Sequence, residues 1–466
     1  MRIVLADLKG KNGFVTKDTV VGGYGSRSKP FTRVTSLVCQ VKERFQVVLS
    51  IQMAYLAAIA AELGHEVVFT RDEFAEGDVA IVLSSLVEHR HETDWADGMR
   101  ARGVRTGFIG LAASKMPHLF ADHADFVING EPEEAFTRLA RGERLEGLCA
   151  SREVADLDRL PFPRWDLLAP TKRLPSRAVP LTPRPFQGGF PLLASRSCPE
   201  FCTYCPIRIL STYRARSVAS IADELEQLCQ RYSRPHVVFR DPLFSQDRDR
   251  CLALADDILH RRLRLTFECE TRLDRLDEHL IDRLHQVGLR GICFGVESHS
   301  QETLRTVARR PIPPRHQLAI VDHCRRRGIV TAAQYVLGFV QDDWSSIAET
   351  IAYSVALGST FAQFKLLTPY PGTALWKQLG PLVCEQDWQN FDGFTPVFTH
   401  PNLSAHELQF LLGAAYARFY MRPSWLWTYF RLPGKRAHEY LRGLDERISA
   451  RQARAEVALM SRAVEC

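Results

Sequence analysis

Three cysteines, Cys198, Cys202 and Cys205, stand within eight residues in the run Ser197-Cys198-Pro199-Glu200-Phe201-Cys202-Thr203-Tyr204-Cys205-Pro206. On a loop, this spacing lets three sulfurs converge on one point, as an iron–sulfur cluster or a zinc ion requires. A cluster held by only three thiolates leaves one iron open to another ligand. A structural zinc site is normally closed by four protein ligands, usually as two separated pairs. No second cysteine pair or adjacent histidine completes such a set here. Chance clustering of three buried thiols is the remaining explanation, and the loop position argues against it.

The elements that must position this loop form an alternating series. Strands are predicted near 191–195 and at 236–239, 263–268, 291–296, 331–337 and 361–367, with helices at 221–232, 250–261, 277–287, 317–327 and 345–357 between them. Gly288, Gly328 and Gly358 close three of those helices, as helix C-termini prefer. Six strands with crossover helices specify an α/β fold, an open or partial (β/α)6 barrel. Its functional groups belong at the carboxyl ends of the strands.

Upstream, strands predicted at 2–8, 66–70, 78–85, 105–110 and 126–129 alternate with helices at 51–63, 92–102 and 133–141. Apolar strands each followed by a helix belong to a doubly wound parallel sheet, covered on both faces, that binds ligands at its carboxyl ends. The loops there, Ser84-Ser85, Gly110-Leu111-Ala112 and Asn129-Gly130-Glu131, are small and polar, suited to a large flat ligand lying against backbone. Between the two series, Pro161, Pro163, Pro170, Pro175, Pro180, Pro183 and Pro185 fix φ and remove backbone donors. The expected domains are 1–150, a Pro-rich extended linker at 151–185, the barrel at 186–400, and a helical C-terminal region at 401–466.

Cys198, Cys202 and Cys205 match the C-x3-C-x-φ-C signature of radical S-adenosylmethionine (radical SAM) enzymes, which the chain resembles, with Tyr204 at the aromatic position that flanks adenine in that family. The same resemblance extends to Phe239-Arg240-Asp241-Pro242-Leu243-Phe244, Phe267-Glu268-Cys269-Glu270-Thr271-Arg272 and Phe294-Gly295-Val296-Glu297-Ser298. Val336-Leu337-Gly338-Phe339 and Pro369-Tyr370-Pro371-Gly372-Thr373 follow the last two strands. The first domain is similar to the cobalamin-binding domain of cobalamin-dependent radical SAM enzymes. That likeness is carried by Leu56-Ala57-Ala58, Glu62-Leu63-Gly64-His65, Ser84-Ser85 and Val127-Ile128-Asn129-Gly130-Glu131-Pro132-Glu133. The Asp-x-His-x-x-Gly motif that supplies a lower axial histidine in other cobalamin proteins is absent.

The resemblance implies a [4Fe–4S] cluster on Cys198, Cys202 and Cys205. It implies S-adenosylmethionine (SAM) bound near Tyr204 and Gly338, its ribose at Glu297 and Ser298 and its amino-acid end at Glu270 and Arg272. Cobalamin would lie against Ser84, Ser85, Gly110, Asn129, Gly130 and Glu131, without an axial histidine from the missing motif. Asp241 is a candidate for the substrate site. Two plainer readings stand beside these: Glu270 could pair with Arg272, and Asp241 could cap a turn. No residue is assigned a catalytic role.

In such relatives one SAM remethylates the cobalamin, a second yields an adenosyl radical, and the substrate radical takes the methyl group. The implied function is C-methylation of an unactivated carbon in a small molecule or lipid, served by an electron donor such as flavodoxin or ferredoxin. Oxidative cyclisation or rearrangement with the same cofactors is the second reading, and a non-catalytic iron–sulfur or zinc protein the third. A methylthiotransferase acting on RNA is disfavoured, because the tail reads as helical and lacks a β-rich RNA-binding module.

Other features take plainer roles. Cys229, Cys251, Cys293 and Cys324 fall in helical or strand patterns and read as small core residues, and Cys269 lies nearer the site without being needed as a ligand. The Gly22-Gly23-Tyr24-Gly25-Ser26-Arg27 loop lacks the Lys-Ser/Thr ending of a phosphate cradle and reads as a flexible segment near the domain interface, with contact to cobalamin as the alternative. Trp425, Trp427, Tyr429 and Phe430 read as packing of terminal helices on the barrel, ahead of a substrate wall or a membrane-touching patch.

Length and composition agree. With 466 residues, 45% apolar and 24% charged, the chain can bury several cores and is neither disordered nor low-complexity. A net charge of +6, with no long Lys/Arg block, gives no indication of nucleic acid. Twelve cysteines are too few for a disulfide scaffold, and the opening Met1-Arg2-Ile3-Val4-Leu5 runs straight into charge, so a cytoplasmic chain with reduced thiols is expected. The longest apolar stretch, 408–421, is broken by Gly413 and Arg418, so no transmembrane segment is expected.

Overall fold

The structure, a computed structural model, describes residues 1–10, 15–17, 23–27, 49–168 and 189–423. The first sheet has six strands: β1 (Arg2–Ala6), β2 (Glu66–Thr70), β3 (Val79–Leu83), β4 (Arg105–Ile109), β5 (Phe126–Asn129) and β6 (Gly147–Ala150). They are parallel, in the order β2-β1-β3-β4-β5-β6. Alternate residues feed opposite faces. Ile3, Leu5, Ile81 and Leu83 pack with the helix Ile51–Glu62, whereas Val4, Ala6, Ala80 and Val82 pack with Trp95 and Met99 of the helix His89–Arg100. Both faces are therefore buried, which is why these strands read as unbroken apolar runs. Strand order reverses between β1 and β3, the switch point where such sheets open a crevice. The edge strand β6, mostly exposed, has no hydrophobic periodicity and was not expected.

The second sheet is also parallel and six-stranded, with β7 (Phe190–Leu192), β8 (His236–Phe239), β9 (Thr266–Thr271), β10 (Leu289–Glu297), β11 (Val330–Leu337) and β12 (Phe361–Leu366) in consecutive order. This is the expected partial barrel. β9 starts three residues later than predicted because Arg262, with φ +56°, ends the preceding helix and Leu263 N bonds back to Ile258 O at 3.0 Å. Residues 263–265 thus complete a helix end, and Glu270 moves into the strand. The open edge of β12 is closed by the helix Ala405–Tyr420. Tyr416 OH accepts from Phe364 N at 3.2 Å and donates to Phe364 O at 2.9 Å, and Tyr420 OH does the same at Ala362, at 3.1 and 2.6 Å. Two tyrosines one helical turn apart therefore occupy backbone groups that an edge strand would otherwise expose.

The connector is not uniformly extended. Trp165–Leu168 form a helical turn with both end residues buried, and Arg164 N bonds Ala54 O at 3.2 Å. Residues 169–188, with Pro170 through Pro185, lie outside the described residues, as do Gly22 and the aromatic run from Trp425 to Phe430. A buried ion cluster joins the two sheets. Arg196 lies 3.2 Å from Glu131 and 2.5 Å from Glu133, and Arg214 also pairs with Glu131. Among the described residues, no helix is long and apolar enough to cross a membrane.

Candidate active site

A cavity of about 660 Å³ opens at the carboxyl ends of the second sheet, and Cys198, Cys202 and Cys205 line it together. Their loop is held from both sides: Thr203 N donates to Val307 O at 3.0 Å and Thr203 O accepts from Leu375 N at 2.9 Å. Ser197, at φ +63°, turns the chain into the loop. Among the described residues no three ligating side chains meet closely enough for a single metal ion. The three cysteines nevertheless share one wall of the cavity, and a cubane would take each sulfur at a separate iron. Burial pushes the Cys205 thiol up to about 12 and raises Cys198 as well, so thiolates there require a cation.

The nearest cation is Arg309, which sequence reading missed. Its Nη1 donates to Cys202 Sγ at 3.8 Å and its Nη2 to Gly295 O at 2.6 Å, 3.3 Å from Glu297. Glu297 sits after a register shift in β10 with φ +66°, so the bulge turns its carboxylate into the cavity. Burial raises Glu297, while Arg309 and a hydrogen bond from Tyr204 oppose the shift. Tyr204 meets Phe339 edge-on at 5.8 Å.

Glu270 and Arg272 both line the cavity but do not pair with each other. Glu270 lies 2.6 Å from Arg240, and Arg272 bonds Asp274 at 3.0 Å and Arg310 O at 2.9 Å. The Arg272 Nη1 is buried without a hydrogen-bond partner, an orphaned donor that suits a carboxylate. Ser298, Gly338 and Asp241 are not in the lining. Ser298 Oγ instead accepts from Ser300 N at 3.1 Å, and Gly338, with φ +81°, packs on Leu408. Asp241 accepts from Ala194 N at 3.0 Å and Ser195 Oγ at 2.5 Å and so braces two strand ends.

The strand-end residues of the first sheet are also spent internally. Ser84 Oγ donates to Ile109 O at 2.7 Å and accepts from Ala113 N at 3.0 Å, and Ser85 Oγ donates to Glu92 at 2.6 Å. Gly110 (φ +105°) starts the helix Leu111–Lys115, Asn129 O accepts from Ser151 N at 2.9 Å, and a Cβ on Gly130 would lie 2.5 Å from Ser151 O. Glu131 is held by the two arginines described above. The first domain reaches the cavity through Gly23, Tyr24, Gly25, Ser26 and Leu49. That loop is no loose segment: Tyr24 stacks on Tyr370 at 5.2 Å with a 7° interplanar angle, and its hydroxyl donates to Pro371 O. The two sheets therefore turn their carboxyl ends toward each other, with small residues and backbone on the first side, a surface that fits a large flat group.

Cys251 and Cys324 are buried as expected and Cys229 is half-buried, whereas Cys293 lines the cavity together with Cys269, which lies near the site as expected. Gln334, Gln363 and Lys365 also line it and were missed. Their signal was available, since each is a polar residue at alternate spacing within an otherwise apolar strand.

A parallel partial barrel with a three-cysteine loop at its mouth defines an enzyme that holds a redox cofactor in a strand-end cavity. The Radical SAM superfamily matches residues 192–352, so the chain carries a radical SAM domain there, and members of that superfamily use a [4Fe–4S] cluster and SAM. An uncharacterized methyltransferase of Pyrococcus horikoshii is 25% identical over 321 residues, covering 64% of this chain and 68% of the relative. The anaerobic magnesium-protoporphyrin IX monomethyl ester cyclase of Rubrivivax gelatinosus is 25% identical over 63% of this chain, which spans about half (52%) of the cyclase. The fold of TsrM, a radical SAM methyltransferase from Kitasatospora setae solved with cobalamin and a [4Fe–4S] cluster, superposes with a TM-score of 0.59 at 16% identity, covering 89% of this chain and 90% of TsrM.

Proposed function

We propose that the chain is a cobalamin-dependent C-methyltransferase acting on an unactivated carbon of a small molecule or lipid. The observation that carries this reading is the facing of the two carboxyl edges across one cavity, with Tyr24 stacked on Tyr370. Four of the curated relatives are named as methyltransferases, and TsrM has also been solved with its tryptophan substrate. When bound, a [4Fe–4S] cluster with SAM supplies one-electron cleavage of a carbon–sulfur bond, and cobalamin supplies a transferable methyl group.

The chain's own residues bind, orient and exclude water. Cys198, Cys202 and Cys205 serve as thiolate ligands, and the Arg309 guanidinium offsets the negative charge gathered on Cys202. The unpartnered Nη1 of Arg272 takes the carboxylate of SAM, and the Tyr204–Glu297 hydrogen bond fixes the wall beside it. Gly23, Tyr24, Gly25 and Ser26 present a small-residue face to cobalamin. Two cyclases among the curated relatives favour a second reading, oxidative cyclisation without net methyl transfer. Anaerobic turnover with SAM, reductant and substrate separates the two. 5′-Deoxyadenosine and S-adenosylhomocysteine in comparable amounts support methylation, whereas deoxyadenosine alone supports the second reading.

A further inference from the structure

The interior of the second sheet carries a polar belt that extends beyond the cysteine loop and Arg272. Its members are Arg240 beyond β8, Glu270 on β9, Cys293 on β10, Gln334 on β11, and Gln363 and Lys365 on β12, all lining the cavity. The register sets Glu270 beside Cys293 and Gln334 beside Gln363. Arg240 lies 2.6 Å from Glu270, and Gln334 Nε2 donates to Cys293 Sγ at 3.1 Å, so one end of the belt is satisfied internally. The other end is not. Among the described residues Lys365 Nζ, which lies over the Phe394 ring at 5.8 Å and feels the Asp392 charge, has one hydrogen bond, to Ser26 Oγ at 3.0 Å, of the three it can donate, and the exposed Gln363 carboxamide has none.

The interior of a parallel barrel is ordinarily filled by branched apolar side chains. Polar side chains open to the cavity there are free to pair with a ligand, and covering them with an apolar one would forfeit their hydrogen bonds to water. Resting on the methyltransferase reading above, we propose that this belt recognises the substrate, and that the substrate is a compact hydrophilic molecule. Its acceptor-rich group, a carboxylate or a phosphate, binds Lys365 and Gln363. A lipid chain or the face of a tetrapyrrole would leave these donors buried and unpaired. The chain thereby departs from the tetrapyrrole-named relatives it resembles in sequence, the two cyclases and the two bacteriochlorophyllide d methyltransferases of Chlorobaculum tepidum.

Isothermal titration of the cluster-loaded holoenzyme with SAM tests this, using three probe sets: the proteinogenic L-amino acids, hexose phosphates, and two apolar probes without a free acid, magnesium protoporphyrin dimethyl ester and methyl palmitate. Saturable binding of a member of either hydrophilic set is expected, the first set marking a carboxylate and the second a phosphate. Gln363→Leu is expected to weaken that binding at least tenfold with iron content unchanged, and Lys365→Met to do likewise. Because Lys365 also ties Ser26, the Gln363 variant decides if the lysine variant misfolds. Binding of the protoporphyrin diester or methyl palmitate alone, binding of no set, or full affinity in Gln363→Leu overturns the proposal. Hydrophilic binding without any deoxyadenosine formation would count against the radical methyltransferase reading and leave this one standing.

Discussion

Arg309 Nη1 stands 3.8 Å from Cys202 Sγ, while the same guanidinium reaches Gly295 O and Glu297. Burial disfavours its charge, but Tyr204, Glu297 and Cys202 together hold it protonated. A donor aimed at a ligating sulfur stabilises the more negative, reduced cluster. Arg309→Met is therefore expected to lower the cluster's midpoint potential, by on the order of 50–100 mV if one charge-assisted bond is lost. A redox titration followed by electron paramagnetic resonance measures this, and an unchanged potential would show that the arginine only braces the loop.

The clamp between the sheets is a stability element with a pH signature. Burial alone would raise the carboxyl of Glu131, but Arg214 and Arg196 overcome it and hold the group below its ordinary range. Its contribution is thus present above the ordinary carboxyl pKa near 4.5 and disappears as pH falls through the lower, folded value. Glu131→Gln, which leaves two buried guanidinium groups short of a partner, is expected to cost about 3–5 kcal/mol at neutral pH. Denaturant melts from pH 7 to pH 3 should show the variant's deficit shrinking as wild type loses the pairing.

Asp342 titrates in the opposite sense. It accepts from Gly338 N at 3.0 Å and Phe339 N at 2.9 Å, and burial pushes its carboxyl up to about 6. The associated stability is fully present below the ordinary pKa near 3.8 and is lost as pH rises through about 6. Asp342→Asn keeps an acceptor without the charge. It is expected to gain roughly 2–3 kcal/mol over wild type at pH 8, and no gain at pH 4. Equal effects at both pH values would contradict the assignment.

Closing the edge of β12 with Tyr416 and Tyr420 carries a separate consequence. Tyr416→Phe and Tyr420→Phe each remove a hydroxyl that bonds both the N–H and C=O of a strand residue, so each is expected to cost about 1–3 kcal/mol. The double variant should associate through the freed edge, measurable by light scattering. A double variant that stays at its original size would show that the helix covers the edge by packing alone.

Much of the architecture could be read from periodicity, because strands such as Val79–Leu83 are buried on both faces and several helices end in glycine. The site was harder to read. The three cysteines are legible because their spacing is local. Arg309 lies more than a hundred residues from Cys202, in a loop whose sequence gives no sign that one arginine turns inward. Ser84, Ser85 and Glu131 have partners that their local sequence does not announce. Small or acidic residues at strand ends suit a ligand, but here neighbouring backbone and the arginines of the second sheet already satisfy them.

The identity of the metal on the cysteine loop tests the account most directly. Protein reconstituted without oxygen should carry about four irons and four sulfides per chain, with Cys202→Ala losing the cluster and its SAM cleavage. Zinc in place of iron, or a Cys202→Ala variant that still cleaves SAM, would contradict it.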